Sequence, residues 1–89
     1  MPAVKDFPYR AAATLALDLM KARPRLGERA AAEIGWQTYK SAGDPKFKAL
    51  RYSQEVIRLM DEIRSGRRQR IEHSTWVLGR ALAHLAEAR

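Results

Sequence analysis

Residues 7–27 read FPYRAAATLALDLMKARPRLG, and this stretch decides the fold. Alanine, leucine and methionine are strong helix formers. At 100° per residue, Tyr9, Ala12, Ala13, Leu15, Ala16, Leu17, Leu19 and Met20 cover most of the circumference. Thr14, Asp18 and Lys21 are left as a narrow polar stripe. A helix apolar nearly all round needs more than one neighbour, so the stretch predicts a helical bundle. Asp6 is the expected N-cap, with Pro8 in the first turn. Lys21 and Arg23 suit the negative C-terminal end, and Pro24 stops the helix, giving a first helix over about 7–22.

Outward from it, Arg23-Pro24-Arg25-Leu26-Gly27, Gly43-Asp44-Pro45 and Ser65-Gly66 punctuate the rest of the chain. Between these breaks no segment alternates apolar and polar residues over strand length, which argues against sheet. A second helix is expected over about 28–42, with Ala30, Ala31, Ala32, Ile34, Trp36, Tyr39 and Ala42 as its apolar residues. Gly35 in its middle is a weak point, costing roughly 1 kcal/mol relative to Ala. A third helix starts at Asp44 as N-cap with Pro45 in the first position and runs over about 45–64. Ala49, Tyr52, Val56, Leu59, Met60 and Ile63 make one apolar face, and Phe47, Leu50 and Ile57 a second. A fourth is expected over about 67–88, with Ile71, Ser74, Thr75, Leu78, Ala81, Leu82, Leu85 and Ala86 facing inward. Arg67-Arg68-Gln69 offers no conventional N-cap, but a turn with Gly66 in the left-handed conformation is favoured over one continuous helix. The fold class is therefore all-α: one domain, 1–89, built as a compact bundle of about four helices with short links. Surplus apolar surface leaves room for oligomers.

Composition narrows the function classes. The 89 residues hold 17 Lys plus Arg against 10 Asp plus Glu, a net charge of +7, and 46% are hydrophobic. That balance is globular rather than disordered. Without cysteine there is neither a disulfide framework nor a Cys-ligated zinc site. No apolar run is long enough to span a membrane, and the first residues lack the pattern of a secretory leader. A cytoplasmic protein is expected, and the Ala- and Arg-rich composition suggests a bacterial or phage source.

The positive excess gathers at the junctions. Lys21, Arg23, Arg25 and Arg29 stand against Glu28; Lys40, Lys46, Lys48 and Arg51 against Asp44; Arg64, Arg67, Arg68 and Arg70 against no acid at all. If Arg67, Arg68 and Arg70 occupy the first turn of the fourth helix, they sit where a cation costs about 0.3–1 kcal/mol. Such placement points to an anionic partner, because free N–H groups at a helix start also favour phosphate. Ordinary solvation of a loop is the plain alternative. In an up-down bundle Arg23 and Arg25 join the 64–70 cluster at one end. Arginine's planar fork suits phosphate, and neutralised phosphates make binding steeply salt-dependent.

Other patterns weigh less. Ala31 and Gly35 have the Ala-x-x-x-Gly spacing of many helix-turn-helix modules, which would place Gln37, Thr38 and Lys40 at the start of a recognition helix. The resemblance covers about ten residues, and Gly43-Asp44-Pro45 would cut that helix short; an Ala-rich packing helix is the simpler reading. His73 and His84 would lie about 16 Å apart on one helix face, too far for one metal, and no cofactor is expected. Catalysis finds no support: there is no Gly-rich phosphate loop, no His-x-x-x-His pair and no cysteine nucleophile. The first helix has too narrow a polar stripe for a membrane-surface helix. Trp76 falls opposite the inward face of the fourth helix, beside His73 and Arg80, and an aromatic so placed suggests an interface.

Two functions follow from these residues. The first is a basic nucleic-acid-binding protein, a regulator or accessory subunit that contacts phosphates of DNA or RNA through Arg23, Arg25, Lys40, Lys46, Lys48, Arg51, Arg64, Arg67, Arg68 and Arg70. The second is a protein-interaction module, an adaptor, inhibitor or antitoxin-like partner, that meets an acidic protein or a second copy through Trp76, His73 and Arg80. Trp and Arg are both enriched at binding hot spots, so composition does not separate them.

Overall fold

The computed structural model describes residues 2–41 and 54–87. They form four helices and no strand: α1 over Pro2–Ala22, α2 over Glu28–Ser41, α3 over Gln54–Arg64 and α4 over Thr75–Glu87. The all-α reading holds. The expected N-cap at Asp44 and the apolar residues Phe47, Ala49, Leu50 and Tyr52 lie outside the described residues. None of the described helices is long and apolar enough to cross a membrane.

α1 is the centre of the molecule. Ala12 and Ala16 face one buried cluster, with Ala31, Ala32 and Trp36 of α2 and Val56, Leu59 and Met60 of α3. Leu15 and Leu19 face a second, with Ala81 of α4, flanked by Val77, Leu78 and Leu82. α1 alone supplies buried residues to both, as its nearly continuous apolar surface requires. It begins at Pro2 rather than Phe7. A proline in the first helical position gives up an N–H that has no partner there anyway. Pro8, buried inside the helix, removes one further intrahelical bond.

α2 runs unbroken through Gly35, so the Ala-x-x-x-Gly pattern makes a packing face and not a helix-turn-helix. Gly35 is buried against α1. A β-carbon placed there would lie 2.7 Å from the Ala12 carbonyl oxygen and 3.3 Å from the Ala16 nitrogen. Ala31 and Ala32 are buried in the same cluster as Ala12 and Ala16. One residue on, Trp36 is buried and stacks on Tyr9 of α1, with ring centroids 5.3 Å apart and planes inclined by 16°.

At the Ser65-Gly66 break the end of α3 matches the expectation and the start of α4 does not. α3 ends at Arg64 and is capped through Gly66, whose φ of 81° is left-handed as expected. The Arg67 amide donates to the Glu62 carbonyl and the Gly66 amide to the Ile63 carbonyl, the paired bonds of a Schellman cap. α4, however, starts at Thr75 and not Arg67. Ser74 is its N-cap: the Val77 amide donates to Ser74 Oγ at 3.2 Å. Residues 65–74 therefore form a strap between helices, and Arg67, Arg68 and Arg70 do not sit in a helix's first turn.

Gly35→Ala separates packing from intrinsic preference. Helix propensity alone predicts a gain of about 1 kcal/mol. Contact with the α1 backbone predicts a net loss of about 1–3 kcal/mol. Urea unfolding of the variant should show a lower midpoint, and a raised midpoint would refute the close approach.

Candidate functional site

The arginine cluster is set against carboxylates that the fold brings from elsewhere. Arg64 pairs with Glu28 at the start of α2 and with Asp61 on its own helix. Arg68 pairs with Glu62 at 2.8 Å, and the same carboxylate also takes Arg58. Arg70 grips Asp18 of α1 with both terminal nitrogens, at 3.0 and 2.9 Å, while its Nε donates to Glu72. Only Arg67 of the four lacks a carboxylate among the described residues; its Nε donates to Ser65 Oγ at 2.9 Å. The two-pronged Arg70–Asp18 geometry is the strong form of such a pair.

Asp18 also meets His73, whose Nε2 lies 2.6 Å from Oδ2. This side chain is only 6% exposed, so the structure separates His73 from Trp76 and Arg80. Sequence spacing had placed all three on one helical face; α4 begins after His73, which removes the basis for that grouping. Burial pushes the Asp18 carboxyl up, but hydrogen bonds and charge from Arg70 and His73 outweigh it and hold Asp18 below the ordinary carboxylate range. The hydrogen bond from Arg68 lowers Glu62 against its desolvation, helped by the charge of Arg58. Hydrogen bonds that Arg64 donates to the carboxylates of Glu28 and Asp61 raise its pKa.

The strap follows the polar stripe of α1. Arg10 reaches the Gln69 carbonyl at a long 3.5 Å, the Ile71 amide donates to Thr14 Oγ1 at 3.1 Å, and His73 meets Asp18. Positions 10, 14 and 18 step by one turn, about 6 Å of rise. Positions 69, 71 and 73 step by two residues of extended chain, about 6.6 Å. The two repeats match, so each second residue of the strap meets the next turn of the helix. Thr14, fully buried, also donates to the Arg10 carbonyl. Thr14 and Asp18 of the polar stripe are thus a docking track.

The other cations are arranged differently. Arg23-Pro24-Arg25-Leu26 is a tight turn closed by the Leu26 amide on the Arg23 carbonyl at 2.9 Å, with proline in the position that pre-sets its φ. Arg23 and Arg25 are exposed. Neither has a carboxylate within ion-pair distance among the described residues, and Arg23 Nη1 donates to the Ala22 carbonyl. The Arg64–Glu28 pair brings the end of α3 to the start of α2, so the two junctions do meet there. Lys40 is exposed in the last turn of α2. Lys46, Lys48 and Arg51 lie outside the described residues.

Trp76 stands apart from all of this. It is 61% exposed, and no other large apolar side chain is so exposed among the described residues. The Arg80 guanidinium, one turn on, sits 5.1 Å from its ring centroid. Gly79 and Ala83 beside them are exposed too, so this side of α4 is shallow around one aromatic. Among the described residues no three histidine or acidic side chains gather as metal ligands would. In comparison with known proteins, the chain matches no family model, no curated protein and no solved structure.

Asp18→Asn tests the strap. The variant should lose about 1–2 kcal/mol near neutral pH, a figure held down by the partial exposure of Arg70. The groups facing Asp18 are Arg70 and His73, with Glu72 behind Arg70. The folded carboxyl titrates below its unfolded value of about 3.9. Its contribution is thus present above that pH and fades as acidification passes the folded value. Unfolding curves of the two proteins should converge below about pH 4. Curves that already coincide at pH 7 would show the strap to be held by something else.

Proposed function

We propose that this chain is a small helical interaction module that presents Trp76 and Arg80 of α4 to an acidic protein surface. The observation that carries the reading is the exposure of Trp76, 61%, in a fold that buries its other tryptophan. A tryptophan left outside the core by a stable helix contributes little to folding and much to association. Arg80 stacked on it supplies the charge partner and pre-orders the pair. The net charge of +7 favours an acidic surface and speeds encounter with it.

Nucleic-acid binding is the second reading, favoured by that same charge and by Arg23, Arg25 and Arg67, which stand outside the ion pairs among the described residues. It is weakened at Arg64, Arg68 and Arg70, where a phosphate would have to displace a carboxylate already in place. An exposed tryptophan can also stack on an unpaired base, so the experiment must separate the two.

Wild type and Trp76→Ala should be compared as baits in extract of the source cells with and without nuclease treatment. A protein retained by wild type, lost with Trp76→Ala and released by salt supports the interaction module. Retention that depends on nucleic acid, with affinity falling steeply in salt, supports the second reading and overturns the first. The substitution should cost under about 1 kcal/mol of stability, the scale of an exposed cation–π contact. Trp36→Ala should cost about 3–5 kcal/mol. A large loss for Trp76→Ala would place that ring in the core and end the proposal.

A further inference from the structure

At the other end of α4 from Trp76, the last turns approach the turn that follows α1. A cleft of about 650 Å³ lies between them, lined among the described residues by Arg23, Pro24, Arg25, Leu26, Leu82, Leu85 and Ala86. Its size falls within the range of small-ligand sites, about 300–1,000 Å³. Leu26, Leu82 and Leu85 are each only partly buried, so apolar surface remains open to a ligand. None of the described residues that line it is acidic.

We propose that this cleft binds a free single-chain aliphatic anion, with the chain against the leucines and the anionic head between Arg23 and Arg25. Charge complementarity commits the choice. Arg58, Arg64, Arg68 and Arg70 are all held by carboxylates, whereas the two guanidiniums of the cleft have none among the described residues. A purely apolar guest would strip water from two cations and return nothing. A compact anion without a chain would leave the leucines exposed. An aliphatic anion satisfies both halves.

The site is also built before a ligand arrives. Pro24 fixes the turn's second position, and the Leu26 amide closes it on the Arg23 carbonyl. The Arg23 amide donates to the Leu19 carbonyl at 2.8 Å, and its guanidinium donates to the Ala22 carbonyl at 3.0 Å. One arginine is therefore anchored to the end of α1. Leu26 packs inward against both buried clusters, tying the turn to the core. Pre-ordering of this kind lowers the entropic cost of binding.

Decanoate is the probe, titrated calorimetrically into the full chain below its micelle concentration, with methyl NMR to locate it. Saturable one-to-one binding is expected, with shifts at the methyls of Leu26, Leu82 and Leu85. Decanol and acetate should each bind at least about tenfold more weakly. The Arg23→Gln/Arg25→Gln double variant should lose at least about tenfold in affinity while keeping its helical circular dichroism. Should the double variant fold poorly, Arg25→Glu alone serves, with the same loss expected. Equal binding of decanol, an unchanged affinity in the folded variants, or shifts confined to other methyls would overturn the proposal. So would attachment to anionic phospholipid vesicles without binding of free decanoate.

Discussion

The structure depends on one constraint: α1 must be covered on every side. Its Ala12–Ala16 side and its Leu15–Leu19 side belong to different buried clusters, so no single partner helix can satisfy it. α3 closes one side, α4 the other, and α2 bridges them at the closest approach, through Gly35. Of the polar stripe that remains, Lys21 is exposed but Thr14 is buried and Asp18 half-buried. Thr14 and Asp18 receive the strap, which spans from the α3 side to the start of α4. A chain of 89 residues has a thin core, and here one helix supplies a different set of buried residues to each of two clusters.

That arrangement changes the meaning of the arginines. Read along the chain, Arg64, Arg67, Arg68 and Arg70 are four cations with no acid among them. In the fold Arg64, Arg68 and Arg70 pair with Asp18, Glu28, Asp61, Glu62 and Glu72, and of the four only Arg67 lacks a carboxylate among the described residues. Exposed pairs of this sort contribute little each, but here several converge on one strap and fix its path. Positive charge outside these pairs lies in part at the Arg23–Leu26 turn, and the exposed aromatic lies on α4. Three of the four arginines in the 64–70 stretch are engaged in ion pairs within the fold.

Much of this was legible in the sequence. The all-round apolar pattern of 7–22 required neighbours on several sides, and it has them. The left-handed turn at Gly66 and the outward Trp76 were readable from punctuation and periodicity. The start of the fourth helix was not. Arg67-Arg68-Gln69 lacked a cap, a local signal that the helix begins later, and Ser74 ahead of Thr75-Trp76-Val77 was the cap that went unread. The partners of the arginines were beyond a window-based reading, because Glu28 and Asp18 are 36 and 52 residues away in the chain. His73 looked like a surface residue for the same reason: its partner lies on α1. The register match between strap and helix is a three-dimensional coincidence of repeats that no single segment displays.

Native-state amide hydrogen exchange tests the central claim most directly, that α1 is a shared wall and the strap is docked on it. Amides from Ala11 to Leu19 should exchange only through global unfolding. The Ile71 amide, outside any helix but bonded to Thr14 Oγ1, should be protected. It should open together with α4 in a smaller, partial unfolding. An Ile71 amide exchanging at the rate of an unstructured chain, or α1 amides exchanging faster than those of α4, would contradict the account.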